Sequence, residues 1–169
     1  MKLSHKIIFF LVIVMAVVSC VKEKNFPPQP VITFDQFVTY SGKNGDIDSA
    51  DCTIKFTDGD GDVGIMKGDL NSPDNLKMKY LYKSPIDGLF HPVDAIDSTT
   101  VMDTLFFSYR IPNLTPNGQY KALDGSIKVK LRTSPVFYPG HHIVKFEITL
   151  LDRAGHLSNR VSTNEINIP

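Results

Sequence analysis

The feature that most constrains the fold is a repeated two-residue alternation of apolar and polar side chains. In segment 144–151, Val144, Phe146, Ile148 and Leu150 are separated by residues such as Lys145, Glu147 and Thr149. Successive side chains of a β-strand point to opposite faces, so this period predicts strands that bury one face and expose the other. The same pattern occurs in segments 77–82, 104–111 and 127–132.

Four more segments predict strands, at 31–40, 51–57, 89–93 and 161–168. Stretches rich in Gly, Pro and Asp separate the segments, as is typical of turns. No segment has the apolar spacing of an amphipathic helix. Seven or eight strands in residues 31–169 predict a single all-β domain, an immunoglobulin-like two-sheet β-sandwich, with a small barrel as the alternative. The chain has no Trp and only two Cys, so the core marker of antibody domains is absent.

The N-terminus predicts export. Lys2 and Lys6 precede an unbroken apolar run at 7–18, which has the length of a signal-peptide core and is too short to span a bilayer. The run ends in Val-Val-Ser-Cys at 17–20, which resembles the lipobox of bacterial lipoproteins. That resemblance implies a signal peptide at 1–19, cleavage before Cys20 and acylation of its thiol. Residues 20–30 then form the lipidated Cys and an extended, proline-containing tether; the alternatives are an ordinary secretory signal or a membrane helix.

Charge and cysteine content narrow the partners. Loss of Lys2 and Lys6 with the signal leaves 16 basic against 18 acidic residues, without a basic cluster. Nucleic acid is therefore not an expected partner, since phosphate binding needs clustered positive charge. Once Cys20 is acylated, Cys52 has no disulfide partner. Its place in an alternating strand predicts a buried thiol.

The segment with the clearest chemical potential is Asp58-Gly-Asp-Gly-Asp62. Carboxylates brought to about 5 Å repel by about 3 kcal/mol per pair at an effective dielectric near 20, so a converging loop favours a cation. Hard oxygen ligands suit Ca²⁺, and the glycines permit the bends. The alternatives are a solvent-facing turn whose aspartates accept hydrogen bonds from their own amides and, less favoured, a pair of catalytic acids.

The spacing of these aspartates is similar to that of the ligands in an EF-hand loop. Asp58, Asp60 and Asp62 match its first, third and fifth positions, Gly64 the seventh, and Asp69 the twelfth. Val63 stands where that loop requires Gly, and a strand precedes it rather than a helix. We therefore predict an EF-like Ca²⁺ loop after a strand, with these five residues as ligands. Further acids, Asp46, Asp48 and Asp51, lie upstream and join the site only if a hairpin brings them near.

The overall pattern resembles a group of small lipoproteins from Bacteroidetes-type bacteria. The matching parts are the lipobox at Cys20, segment 56–64, and segment 146–159 followed by Thr163. The resemblance implies an envelope location, on the outer membrane, and an immunoglobulin-like final hairpin. Val21 agrees with that location, because the Asp that causes inner-membrane retention in some bacteria is absent.

These observations predict a membrane-anchored, non-catalytic module that binds an envelope protein or a glycan. Exposed aromatic residues such as Phe106 are the candidates for glycan contact. A purely structural subunit of an envelope complex is the alternative, and a hydrolase using Asp58, Asp60 or Asp62 is the third hypothesis. The chain lacks a nucleophile elbow, a phosphate loop and a His-Glu-x-x-His motif.

Overall fold

A computed structural model describes residues 25–43, 45–96, 102–117, 121–131 and 140–169. Within these ranges the chain forms eleven β-strands and no helix. The strands are β1 (Val31–Ser41), β2 (Ile47–Asp58), β3 (Leu76–Lys83), β4 (Phe90–Pro92), β5 (Asp94–Ile96), β6 (Met102–Thr104), β7 (Phe106–Tyr109), β8 (Leu123–Leu131), β9 (Ile143–Leu150), β10 (Val161–Ser162) and β11 (Ile166–Asn167).

Nine of the strands form two antiparallel sheets. The smaller sheet has the order β1-β2-β8, and the larger has the order β10-β9-β3-β4, with β11 also paired to β9 and β7 to β3. Strands β5 and β6 form a separate hairpin. The predicted all-β, two-sheet architecture is confirmed, whereas the immunoglobulin-like connectivity stays a prediction.

The alternation in the sequence places one face of each central strand in a common core. In β9, Val144, Phe146, Ile148 and Leu150 have no exposed surface, while the residues between them are partly exposed. Phe37 of β1 stacks on Phe146 with ring centroids 5.4 Å apart, so the two sheets pack face to face. Burial of each large apolar side chain contributes about 1.5–3 kcal/mol, which makes this interface the main source of stability.

The strand count exceeds the seven or eight predicted because several strands are only two or three residues long. Such strands are too short to show an alternating pattern. The predicted strand at 161–168 is two strands, separated where Thr163 binds Phe146. The Thr163 hydroxyl accepts a hydrogen bond from the Phe146 amide at 3.0 Å, and the Thr163 amide donates to the Phe146 carbonyl at 3.0 Å.

The chain before β1 contacts the domain. The carbonyl of Pro27 accepts a hydrogen bond from the Gly59 amide at 2.8 Å, and Pro30 is buried. The signal peptide expected at 1–19 and Cys20 lie outside the described residues. No apolar helix of membrane-spanning length occurs in the described part of the chain.

Candidate metal centre

Asp58 lies at the end of a buried strand face. The side chains of Cys52, Ile54 and Phe56 point into the core from β2, and Asp58 is the next residue with the same orientation. Its exposed surface is 0%. Strand periodicity therefore carries a carboxylate into the edge of the apolar core.

Asp152 reaches the same place from the other sheet. It follows Ile148 and Leu150, two buried residues of β9, at the next position of the same parity, and is 5% exposed. A β-bridge between Asp152 and Val63 joins its loop to the loop that follows Asp58. Each sheet thus extends one inward-facing carboxylate beyond the same end of the core.

The glycines of segment 58–64 allow its backbone to approach neighbouring segments closely. Gly61 has a φ of 67°, and a Cβ there would lie 1.8 Å from the carbonyl oxygen of Lys121. Gly64 has a φ of 99°, and a Cβ there would lie 2.1 Å from the carbonyl oxygen of Pro112. Both positions combine a left-handed conformation with backbone contact, which only Gly tolerates.

Four carboxylates converge as a result. Asp58, Asp60, Asp62 and Asp152 each offer one oxygen, and these oxygens all lie within 4.8 Å of one another. Oxygens that bind one Ca²⁺ at 2.3–2.6 Å are at most about 5 Å apart, so the spacing fits a single coordination sphere. This group, which we call the aspartate cluster, could hold a metal ion.

Two oxygens of the cluster have no hydrogen-bond partner among the described residues. Asp58 Oδ2 accepts from the amides of Asp62 at 2.8 Å and Val63 at 3.2 Å, whereas its Oδ1 is buried and unpartnered. Asp62 Oδ2 accepts from the Ala154 amide at 2.8 Å, and its Oδ1 is likewise buried and unpartnered. A buried acceptor without a partner is costly, so both atoms are available to a cation.

The pKa values of two carboxyl groups in the cluster are raised, as expected where negative charges meet without a cation. Burial, and after it the charge of Asp60, raise the pKa of Asp58 to about 6. Burial, followed by the charge of Asp152, raises the pKa of Asp62, although the nearby Arg153 acts in the opposite direction. Arg153 itself donates to the Gly64 carbonyl at 2.8 Å and so does not sit among the four carboxylates as a counter-ion.

Asp152 is also held from its own turn. Its Oδ1 accepts from the His156 amide at 2.7 Å, and its Oδ2 lies 2.9 Å from His156 Nδ1. The side chain of Asp152 is 0% exposed and that of His156 46%. The backbone and imidazole contacts orient the carboxylate before any ion is bound.

The structure brings together three of the five predicted ligands, Asp58, Asp60 and Asp62. Asp69 lies outside the cluster, because its carboxylate binds its own turn: it accepts from Asn71 N at 2.9 Å and from Ser72 N at 3.1 Å and Ser72 Oγ at 2.5 Å. The carbonyl of Gly64 accepts from Arg153, as described above, and its predicted role as a ligand stays a prediction.

The upstream acids Asp46, Asp48 and Asp51 lie just before β2 or in its first half. Asp51, the last of them, is seven positions before Asp58, which is about 23 Å along a strand. The fourth carboxylate is Asp152, which spacing around Asp58 could not indicate. Its signal was the parity of the buried run in β9.

The structure also describes Cys52 and Phe106, the other residues that the sequence analysis discussed. Cys52 is 1% exposed, and burial raises its pKa to about 12, which confirms the predicted buried thiol. Phe106 is 44% exposed on β7, so its ring is available at the surface.

No protein-family model, curated protein or solved structure matches the chain.

Proposed function

We propose that this protein is a lipid-anchored envelope protein, attached to the outer membrane through Cys20, whose β-sandwich is a non-catalytic interaction module stabilised by one Ca²⁺. The Ca²⁺ site is supported by the convergence of four carboxylates, with buried oxygens on Asp58 and Asp62 that have no hydrogen-bond partner among the residues that the structure describes. The anchor rests on the N-terminal sequence, and the interaction role rests on surface residues.

Ca²⁺ suits the aspartate cluster better than softer metals do. The four side-chain ligands are all carboxylates, and hard oxygen ligands select Ca²⁺ or Mg²⁺ over Zn²⁺ or Cu²⁺. Mg²⁺ demands nearly ideal octahedral geometry at 2.0–2.1 Å, whereas Ca²⁺ accepts irregular coordination at longer distances. A spread of up to 4.8 Å between ligand atoms favours the larger ion.

The interaction role is supported by apolar side chains at the end of the sandwich away from the cluster. Ile86 and Leu89 lie in the β3–β4 turn and are 95% and 62% exposed. Strand β3 is eight residues long, so this turn lies about 25 Å from the end that carries Asp152. Exposed apolar groups in one turn favour contact with a protein partner, while Phe106 is the candidate for stacking on a glycan.

A hydrolase is the second candidate, and the raised pKa of Asp58 is the observation that favours it. A general acid must contact its substrate, however, and Asp58 has no exposed surface. A bound cation accounts for both the burial and the clustering, whereas catalysis accounts for neither. The alternative to a binding module is a purely structural subunit of an envelope complex.

The Ca²⁺ site is tested by calorimetric titration of the full chain, purified in detergent and treated with a chelator. We expect one Ca²⁺ per chain, loss of binding in Asp58→Asn and Asp152→Asn, and unchanged binding in Asp69→Asn. The last variant is the matched control, because Asp69 has the same chemistry outside the cluster. Absence of binding in the unmodified protein, or its loss in Asp69→Asn, would contradict the proposed site.

The interaction role is tested by co-purification from the native envelope. We expect Ile86→Asp combined with Leu89→Asp to lose a protein partner, and Phe106→Ala to lose glycan binding on an array if the ligand is a glycan. Mass spectrometry of the same material should give an acylated N-terminal Cys20. An intact signal peptide or a free Cys20 thiol would overturn the anchor.

A further inference from the structure

We infer that the aspartate cluster controls the attachment of the N-terminal arm, residues 25–30, to the sandwich, so that Ca²⁺ sets the reach of the membrane tether. This inference rests on the proposed Ca²⁺ site and on the lipid anchor. It concerns a part of the chain that contributes no ligand.

The first contact of the arm is with the loop that supplies three of the four carboxylates. Gly59, between Asp58 and Asp60, donates its amide to the Pro27 carbonyl at 2.8 Å. A Cβ at Gly59 would lie 2.2 Å from the carbonyl oxygen of Phe26 and 2.7 Å from that of Pro27. The arm backbone therefore packs directly on the backbone between two cluster residues.

The second contact is with the loop that supplies Asp152. Gln29 Nε2 donates to the carbonyl of Leu157, one residue beyond His156. The side chain of Asn159 then binds the first residues of β1: Ile32 N donates to its Oδ1 at 2.8 Å, and its Nδ2 donates to Ile32 O at 2.9 Å. Both loops that meet at the cluster thus also hold the arm and the start of β1.

Repulsion between the carboxylates links Ca²⁺ binding to docking of the arm. Without a cation, carboxylates this close repel one another by about 3 kcal/mol per pair at an effective dielectric near 20, which favours separation of the two loops. A cation that binds only the converged arrangement shifts the population towards it. Because the arm spans the two loops, its docked state is favoured by the same shift.

The arm also suits this use because it loses little entropy on docking. It contains Pro27, Pro28 and Pro30, which restrict the free chain before it docks. When the arm is docked, six residues connect Cys20 to Phe26 and reach at most about 20 Å; when it is released up to Val31, eleven residues reach about 37 Å. Ca²⁺ loading would thus roughly halve the reach of the tether.

The test is hydrogen exchange of the full chain in detergent, with Ca²⁺ or with chelator, followed by mass spectrometry. We expect Ca²⁺ to slow exchange about tenfold at the Gly59 amide, which donates to the Pro27 carbonyl of the docked arm. Gln29→Ala and Gly59→Ala should lose this Ca²⁺-dependent protection of the amide at position 59. Gln29→Ala should still bind Ca²⁺ by calorimetry, because Gln29 lies outside the cluster.

Gly42→Ala is the matched control for Gly59→Ala. Gly42 lies at the opposite end of the β1–β2 sheet and has no positive φ, and a Cβ there meets only ordinary or slightly tight neighbours. It should leave both Ca²⁺ binding and protection of the Gly59 amide unchanged. If the protein binds Ca²⁺ and the Gly59 amide exchanges equally fast with and without it, the coupling is wrong and the Ca²⁺ site stands. If Ca²⁺ does not bind, the site itself is wrong.

Discussion

Asp58 and Asp69 are eleven residues apart in one acidic, glycine-rich stretch, yet they have opposite surroundings. Asp69 accepts three hydrogen bonds from its own turn, and these bonds, led by the Ser72 hydroxyl, lower its pKa. Asp58 is fully buried, has one oxygen without a hydrogen-bond partner in the described part of the chain, and has a pKa raised to about 6. The carboxylate of Asp69 is thus stabilised by hydrogen bonds within its own turn. The carboxylate of Asp58 is not compensated by its own loop and favours a cation.

The difference shows why a row of aspartates does not by itself define a metal site. Both residues lie in segments with turn-forming composition, and both accept bonds from nearby amides. What separates them is whether strand periodicity carries the carboxylate inward, where other carboxylates meet it. Substitutions at the two residues therefore test whether burial, and not the composition of the loop, sets the behaviour of each carboxylate.

The largest expected effect is a pH-dependent penalty at Asp58 in the metal-free protein. Its pKa is 3.8 in the unfolded reference and about 6 when folded, so the folded state holds more protons between these values. Stability should therefore fall as pH rises from about 4 to above 6, by up to about 3 kcal/mol. Urea unfolding in chelator should follow this trend.

Asp58→Asn is the matched variant for that measurement. The amide keeps an acceptor for the Asp62 and Val63 amides and gains a donor towards neighbouring carboxylates, without a charge. In chelator at pH 7.5 it should be more stable than the unmodified protein, and its pH trend should be weaker. A less stable Asp58→Asn under these conditions would contradict the view that Asp58 is an uncompensated charge.

The next effect is the stabilisation by Ca²⁺. Binding to the folded state alone adds about 2.7 kcal/mol at a hundredfold excess over the dissociation constant. Asp152→Asn should lose this gain, whereas Asp69→Asn should keep it in full. Thermal melting with and without Ca²⁺ measures both, and equal loss in the two variants would place Asp69 in the site after all.

Asp60→Asn should have an intermediate, purely ligand-dependent effect. Asp60 is the exposed member of the cluster, so its replacement should change metal-free stability by less than about 0.5 kcal/mol. The affinity of the Asp60→Asn variant for Ca²⁺ should fall, because a site with fewer charged ligands binds the ion more weakly. Calorimetry beside urea unfolding separates the two quantities. A metal-free destabilisation as large as that of a core substitution would mean that Asp60 has a structural role.

The smallest effect is expected at Asp69. Asp69→Ala removes the three hydrogen bonds of an exposed turn and should lower the melting temperature by only about 1 °C, equally with Ca²⁺ and with chelator. Its lowered pKa gives the opposite pH sign to Asp58. The contribution of Asp69 is present above its unfolded pKa and is lost as pH falls through the folded one. A Ca²⁺-dependent shift would contradict this assignment.

Much of the architecture could be predicted because strand burial is a local property. The alternation in 127–132 and 144–151 required an apolar face, and β8 and β9 have it. The shortest strands could not be predicted, since β10 and β11 have two residues each and exist only because β9 offers them a partner. A two-residue segment carries no period of its own.

Local sequence pattern was enough to predict an all-β chain and to place Asp58, Asp60 and Asp62 in one glycine-containing loop, because alternation and turn composition act between neighbours. That Asp152, and not Asp69, completes the cluster is a result of the three-dimensional packing. That choice depends on two sheets ending their buried faces at the same edge of the core. Asp62 and Asp152 are 90 positions apart, and their proximity follows from the packing of the β1-β2-β8 sheet against the sheet that contains β9, which no local spacing encodes.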